Sequence, residues 1–127
     1  MIKFRAWNEK TESFIDYGDL MLDLKNGKVY SGDVGIPEYT IDVTNQVILM
    51  QCTGCRDKNG IEIYEGDILY HPLQGARKVF YPYSDSVASY GLREINTGLG
   101  STLQNAHAVW QVIGNIYENP ELLEVVG

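Results

Sequence analysis

Leu49 to Ile68 reads LMQCTGCRDKNGIEIYEGDI, and two turn signals divide it. Asn59-Gly60 separates CRDK from IEIY, and an Asn-Gly pair tolerates the positive φ of a type I′ turn, so the segment predicts a β-hairpin. Gly66-Asp67 marks a second turn and opens a strand from Asp67 to His71. Val47 to Met50, just upstream, is consecutively apolar, so both faces of that strand need cover. Strands joined by tight turns are therefore the reading from which the rest of the chain is approached.

The pattern extends outward. Asn26-Gly27 separates LMLDLK from KVYSG and predicts another hairpin. Ala108, Trp110, Val112, Gly114 and Ile116 are apolar at alternate positions, with Gln111 and Asn115 between them, which predicts a half-buried strand over 108–116 with the tryptophan inward. Shorter strands are expected at Ile2 to Trp7, Met21 to Lys25, Lys28 to Ser31, Val47 to Cys52, Arg77 to Tyr81 and Val87 to Leu92. One helix start is visible: Asn119 as the capping residue, Pro120 at the first helical position and Glu121 at the positive end of the dipole. Leu122 and Leu123 supply its docking face. The Asn96 to Asn105 stretch reads as a long surface loop.

At 127 residues, 44% hydrophobic and 21% charged, the chain has the length and composition of one globular domain, and its nine tyrosines favour β structure. The net charge of −7 is uneven: residues 1–60 carry seven basic against nine acidic side chains, residues 61–127 three against eight. That balance disfavours nonspecific binding to a phosphate backbone. No apolar run is long enough for a signal peptide or a bilayer span. Two cysteines in a chain of this size suit a reducing cytoplasm.

Three separated segments occur in order: IKFRAW (Ile2 to Trp7), the Leu49 to Ile68 block, and VIGNIYENPELLE (Val112 to Glu124). With them the chain resembles the YopX family of small phage and prophage proteins. The resemblance implies a single mainly-β domain over 1–127: an N-terminal β layer (1–48), then a small, partly open SH3-like barrel with a short C-terminal helix (49–127). Its motif covers Thr53, Gly54, Asp57, Asn59 and Gly60 around the first turn, and Tyr64, Glu65, Gly66 and Asp67 around the second. Near the C-terminus it covers Gly114, Asn115, Asn119 and Pro120. These positions carry either a fold role or a site that the resemblance does not name.

Each chemical motif has a simpler reading. Cys52-Thr53-Gly54-Cys55 has the gap of a zinc knuckle or redox pair, but a structural zinc needs four ligands, and His71 and His107 lie apart in sequence. YopX-like chains typically carry an aromatic residue and a leucine there, which implies that the cysteines are hydrophobic substitutes. Asp57-Lys58-Asn59-Gly60 resembles a calcium loop, yet aligning Gly60 with its central glycine puts Cys55 and Gly66 where carboxylates are required. Glu62, Glu65 and Asp67 could be an acid–base set, but Glu65 and Asp67 are expected to fix their turn through backbone amides. Gly98 to Thr102 resembles a phosphate cradle without its lysine and reads as a flexible loop. No catalytic residue, cofactor or metal site is assigned.

Two basic aromatic clusters remain: Lys3, Arg5 and Trp7, which would share a strand face, and Arg77, Lys78, Phe80, Tyr81 and Tyr83. They would serve a nucleic-acid-associated protein. The leading expectation is a non-enzymatic accessory protein that binds an unknown protein partner in the cytoplasm of a bacterial host, with self-association expected through Val47 to Cys52, which carries few guard charges.

Overall fold

The computed structural model describes residues 3–32, 40–81, 91–94, 100–102 and 109–124. Tyr83 and His107 lie outside them, as does most of the expected Val87 to Leu92 strand. The chain is mainly β. It divides into two compact units, Phe4–Met50 and Met1–Lys3 with Gln51–Gly127, and the boundary falls within one strand.

In the Phe4–Met50 unit, β1 (Phe4–Asn8) and β2 (Ser13–Phe14) form a hairpin with Trp7 opposite Phe14. Asn8 Oδ1 accepts the amides of Lys10 and Thr11 at 2.9 and 3.2 Å and shapes the turn. Glu12 closes it at φ 55°, a left-handed conformation. β3 (Leu20–Leu22), β4 (Val29–Gly32) and β5 (Thr40–Asp42) form a three-stranded antiparallel sheet. Val29 and Val43 are buried, and the Val43 amide donates to Val29 O. The first half of β6 (Val47–Arg56) follows β1 in the order β2-β1-β6, with Met50 buried and Val47, Ile48 and Leu49 half-buried.

In the other unit the second half of β6 pairs with β7 (Glu62–Tyr64). The sheet β11-β10-β9-β8-β12 is antiparallel throughout and curls into a half-barrel. Its strands are β8 (Asp67–His71), β9 (Gly75–Phe80), β10 (Gly91–Glu94), β11 (Gly100–Thr102) and β12 (Gln111–Asn115). Ile63, Leu69, Val79, Leu92 and Trp110 form its core, with Cys55 and Val112 packed against them. The register explains the choice of face. Leu69 pairs with Val112, and Val79 with Leu92, and cross-strand partners share a face. The C-terminal helix is a 3-10 turn, Pro120–Glu124.

Several expectations are corrected. Gly100–Thr102, read as flexible loop, is strand β11. The strand expected over 108–116 is Gln111–Asn115 among the described residues, and its register slips between Val112 and Gly114. That bulge reverses the alternation beyond it and buries Asn115, which was expected on the opposite face from the core. The Asn-Gly hairpins form where expected, but not as type I′ turns. Gly27 and Gly60 have positive φ, at 74° and 81°, whereas neither preceding asparagine does. In both loops an upstream aspartate takes the amide two residues on: Asp23 Oδ1 from Lys25, and Asp57 Oδ1 from Asn59. Such Asx turns select a longer loop than the two-residue one. Among the described residues, no helix is long and apolar enough to cross a membrane.

Candidate functional site

Asp57 is the centre of the first motif turn. Its side chain is 2% exposed, and it accepts three backbone amides: Asn59 at 2.8 Å and Ile61 at 2.9 Å on Oδ1, and Val112 at 2.9 Å on Oδ2. The first two shape the hairpin loop. The third ties it to β12, beside a Lys58 amide bond to Trp110 O. Burial pushes the Asp57 carboxyl up, but the three amides outweigh burial and hold it below the ordinary carboxylate range. The geometry is that of a structural anion buried among its donors, with no calcium-loop ligand set.

The second turn is built the same way. Gly66 takes φ 83°, its amide donates to Val79 O, and Asp67 Oδ2 accepts the Tyr64 amide at 2.8 Å. Glu65 Oε1 accepts the Gln51 amide at 3.0 Å. Thr53 Oγ1 donates to Ile63 O at 2.8 Å and accepts the Cys55 amide at 3.0 Å. Near the C-terminus, Asn115 Oδ1 accepts the amides of Tyr117 and Glu118. Asn119 does not act as the expected cap: its Oδ1 accepts the amide of Asn115, upstream of the 3-10 turn that Pro120 opens. Gly114 is required by close approach, since a Cβ there would lie 2.5 Å from Asn119 Oδ1 and 3.0 Å from a Leu122 methyl. Leu122 thus docks on β12, as expected for one face of that turn.

Beside the first hairpin lies a cleft of about 300 Å³ lined by Lys3, Cys52, Gly54, Cys55, Arg56 and Glu62. Glu62 organises it. Lys3 Nζ donates to both Glu62 oxygens at 3.0 Å, Arg56 Nη2 reaches Oε1 at 3.4 Å, and the Tyr64 hydroxyl reaches Oε2 at 3.4 Å. Hydrogen bonding to Lys3, then its charge, lowers the Glu62 carboxyl, and the same contact raises Lys3. Sequence reasoning passed over Arg56. The signal was present, because a hairpin turning at Asn59-Gly60 sets Arg56 opposite Glu62, and opposite charges so placed attract.

In the first basic cluster the side chains are engaged, and in the second the two cations are divided. Lys3 is engaged with Glu62. Trp7, expected beside Arg5 on an accessible face, is 7% exposed and packs edge-on against Phe14 at 5.0 Å, while Arg5 lies over the same ring. Arg77 pairs with Leu69 on the core side of the sheet, and Lys78 pairs with Ile68 on the other, so these neighbours face opposite ways. His71 Nδ1 accepts the amides of Leu73 and Gln74, a turn role. Among the described residues, no three His, Cys, Asp or Glu side chains gather to hold a metal ion.

Among the described residues, the arrangement therefore offers polar anchors within the fold and a mixed-charge cleft at Lys3, Arg56 and Glu62. Among solved structures, the chain is similar to the crystal structure of protein EF1440 from Enterococcus faecalis, with 27% identity, TM-score 0.62, and 97% of this chain and 98% of that one covered. It also shares the fold of protein yopX from Bacillus subtilis, with 19% identity, TM-score 0.57, and 98% and 97% covered. No curated protein matches. The family model described as YopX protein matches residues 3–124, nearly the whole chain, and this chain belongs to the YopX family.

Proposed function

We propose that this chain is a phage- or prophage-encoded, non-enzymatic accessory protein that acts through protein–protein contacts in the cytoplasm of a bacterial host. One observation carries the reading: the acidic side chains at and beside the two motif turns are already engaged. Asp57, Glu65 and Asp67 accept backbone amides, and Glu62 is held by Lys3 and Arg56. Acid–base chemistry needs a carboxyl free to exchange its proton with a substrate, so this pattern supports a scaffold. The curled sheet is consistent with a small barrel of the SH3-like type, a fold that hosts many kinds of binding.

The splitting of Arg77 from Lys78 and the burial of Trp7 weigh against a basic aromatic stripe for nucleic acid. The test is crosslinking in a host cell with a photoreactive group introduced at exposed surface positions. Discrete adducts with one host or phage protein, competed by unlabelled chain, are expected. Absence of such adducts, together with a salt-dependent shift on single- or double-stranded DNA, would replace the reading with the nucleic-acid one.

A further inference from the structure

Arg56 closes β6, Glu62 opens β7, and the two stand opposite one another across the hairpin. Tyr64 shares the face of Glu62, whereas Ile63 between them enters the core. Lys3 joins the charged face from the position before β1, fixed where its carbonyl accepts the Cys52 amide at 2.8 Å. The three charges are unequally matched. Lys3 Nζ sits 3.0 Å from both Glu62 oxygens, while Arg56 Nη2 stands 3.4 Å from one of them. Lys3 also does more than Arg56 to lower the Glu62 carboxyl. Lys3 and Glu62 thus neutralise each other, and the Arg56 guanidinium is the charge in excess.

We infer that the cleft at Lys3, Arg56 and Glu62 receives a carboxylate of a partner peptide on the Arg56 guanidinium; the inference deepens the protein-contact reading and rests on it. A guanidinium offers a planar fork of N–H donors that matches the two oxygens of a carboxylate. Arg56 spends one donor on Gly60 O at 2.8 Å and one on the longer Glu62 contact, so others remain. The Gly60 bond holds one end of the fork, and a fork already held loses less freedom on binding. The side chain is 61% exposed, and a Cβ on Gly54, which lines the same cleft, would meet nothing within 4 Å, so a ligand has room to enter. The space of about 300 Å³ suits one acidic side chain or one chain end. The chain as a whole carries −7 and repels an acidic segment, which confines such a contact to a locally cationic cleft.

The probe is a short Gly/Ser peptide, capped at both ends, with one central glutamate. A twin carries glutamine instead, and a third peptide has no acidic side chain but a free C-terminal carboxylate. Each is titrated into the isotope-labelled chain at low salt, and the NMR signals of the Arg56 side chain and the Gly54 amide are followed. Saturable shifts are expected with the first peptide, the third or both, which shows whether a side chain or a chain end is taken; the glutamine twin should leave both signals in place. Arg56→Ala should weaken binding by at least about fivefold, read at Gly54, and Arg56→Lys, which keeps the charge without the fork, by at least about twofold. Glu62→Gln leaves Lys3 without its counter-charge and should tighten binding by at least about twofold. Urea midpoints check that each variant is folded. No saturable shift, an equal response to the glutamine twin, unchanged binding in the Arg56 variants, or no tightening in Glu62→Gln would overturn the inference. Should that happen while a discrete crosslinked partner is found in the host cell, this site falls and the protein-contact reading stands.

Discussion

Replacing Asp57 should be the most damaging small change in the motif, and the structure sets its size. Asp57→Ala strands three amide donors at once. Asn59 and Ile61 are exposed, so water can reach their amides and each loss costs about 1 kcal/mol. Val112 is half-buried in β12, and its stranded amide costs about 2 kcal/mol. Freeing the carboxylate from burial returns part of this, while the opened space subtracts again, so a net loss of about 3–5 kcal/mol is expected. Asp57→Asn keeps one oxygen for the two turn amides but sets an NH2 against the Val112 N–H, at a cost of about 2–3 kcal/mol. Against a typical total of about 5–15 kcal/mol, either is severe.

Urea unfolding followed by tryptophan fluorescence reads the loss as a lower midpoint at unchanged slope. Hydrogen exchange locates it, since the Val112 amide should lose protection in both variants. The acid limb gives an independent check. The folded Asp57 carboxyl lies below its unfolded value, so its stabilisation is complete above about pH 4 and disappears as pH falls through the folded value. The gap between wild type and Asp57→Asn should therefore narrow below about pH 4. A loss under about 1 kcal/mol in Asp57→Ala, unchanged Val112 protection, or a gap constant down to about pH 2 would refute the reasoning.

Trp110→Ala removes a core ring that also packs 5.3 Å from His71, and should cost ~3–5 kcal/mol in the same assay; under about 1 kcal/mol would place the ring outside the core. Gly114→Ala forces Asn119 and Leu122 away from β12 and should cost about 1–3 kcal/mol, with lost exchange protection at the Asn115 amide; a neutral variant would show that this approach is slack. Glu12→Gly relieves the left-handed turn in the β1–β2 hairpin and should gain about 0.5–1 kcal/mol, whereas a loss would mean that the Glu12 side chain contributes more than its backbone costs. If copies pair through the apolar Val47 to Met50 run, light scattering will show a dimer that dissociates on dilution; a constant monomer mass would sink that idea.

The fold was legible wherever the pattern was local. An apolar run and a glycine-bearing turn were enough to locate β1, β3, β4, β6, β8 and β9 to within a few residues. β2, β5 and β11, of two or three residues, are too short to show a period, and their pairing depends on neighbours that sequence does not reveal. β12 was misjudged for a different reason. Its alternation reads cleanly from Ala108 to Ile116, but a single bulged residue moves every later side chain to the other face, so Asn115 enters the interior at 5% exposure. There it is useful, because an asparagine can satisfy the amides of Tyr117 and Glu118 that the reversing chain leaves open.

The site was legible in its parts and not in its connections. Asp57 is recognisable as a turn residue from Asp57-Lys58-Asn59-Gly60 alone, since the Asx turn is completed within two residues. Its burial is not, because that depends on the Val112 amide, 55 residues further along. The cleft follows the same logic. Arg56 and Glu62 could be paired by counting back from the turn, but Lys3 reaches Glu62 from 59 residues away. Strict alternation would place the two cysteines on opposite faces, and the register keeps them there: Cys52 shares the face of Tyr64 and Glu62, while Cys55 packs on the core with Ile63. The motif's polar and glycine residues thus have a sufficient physical reason in the backbone they hold.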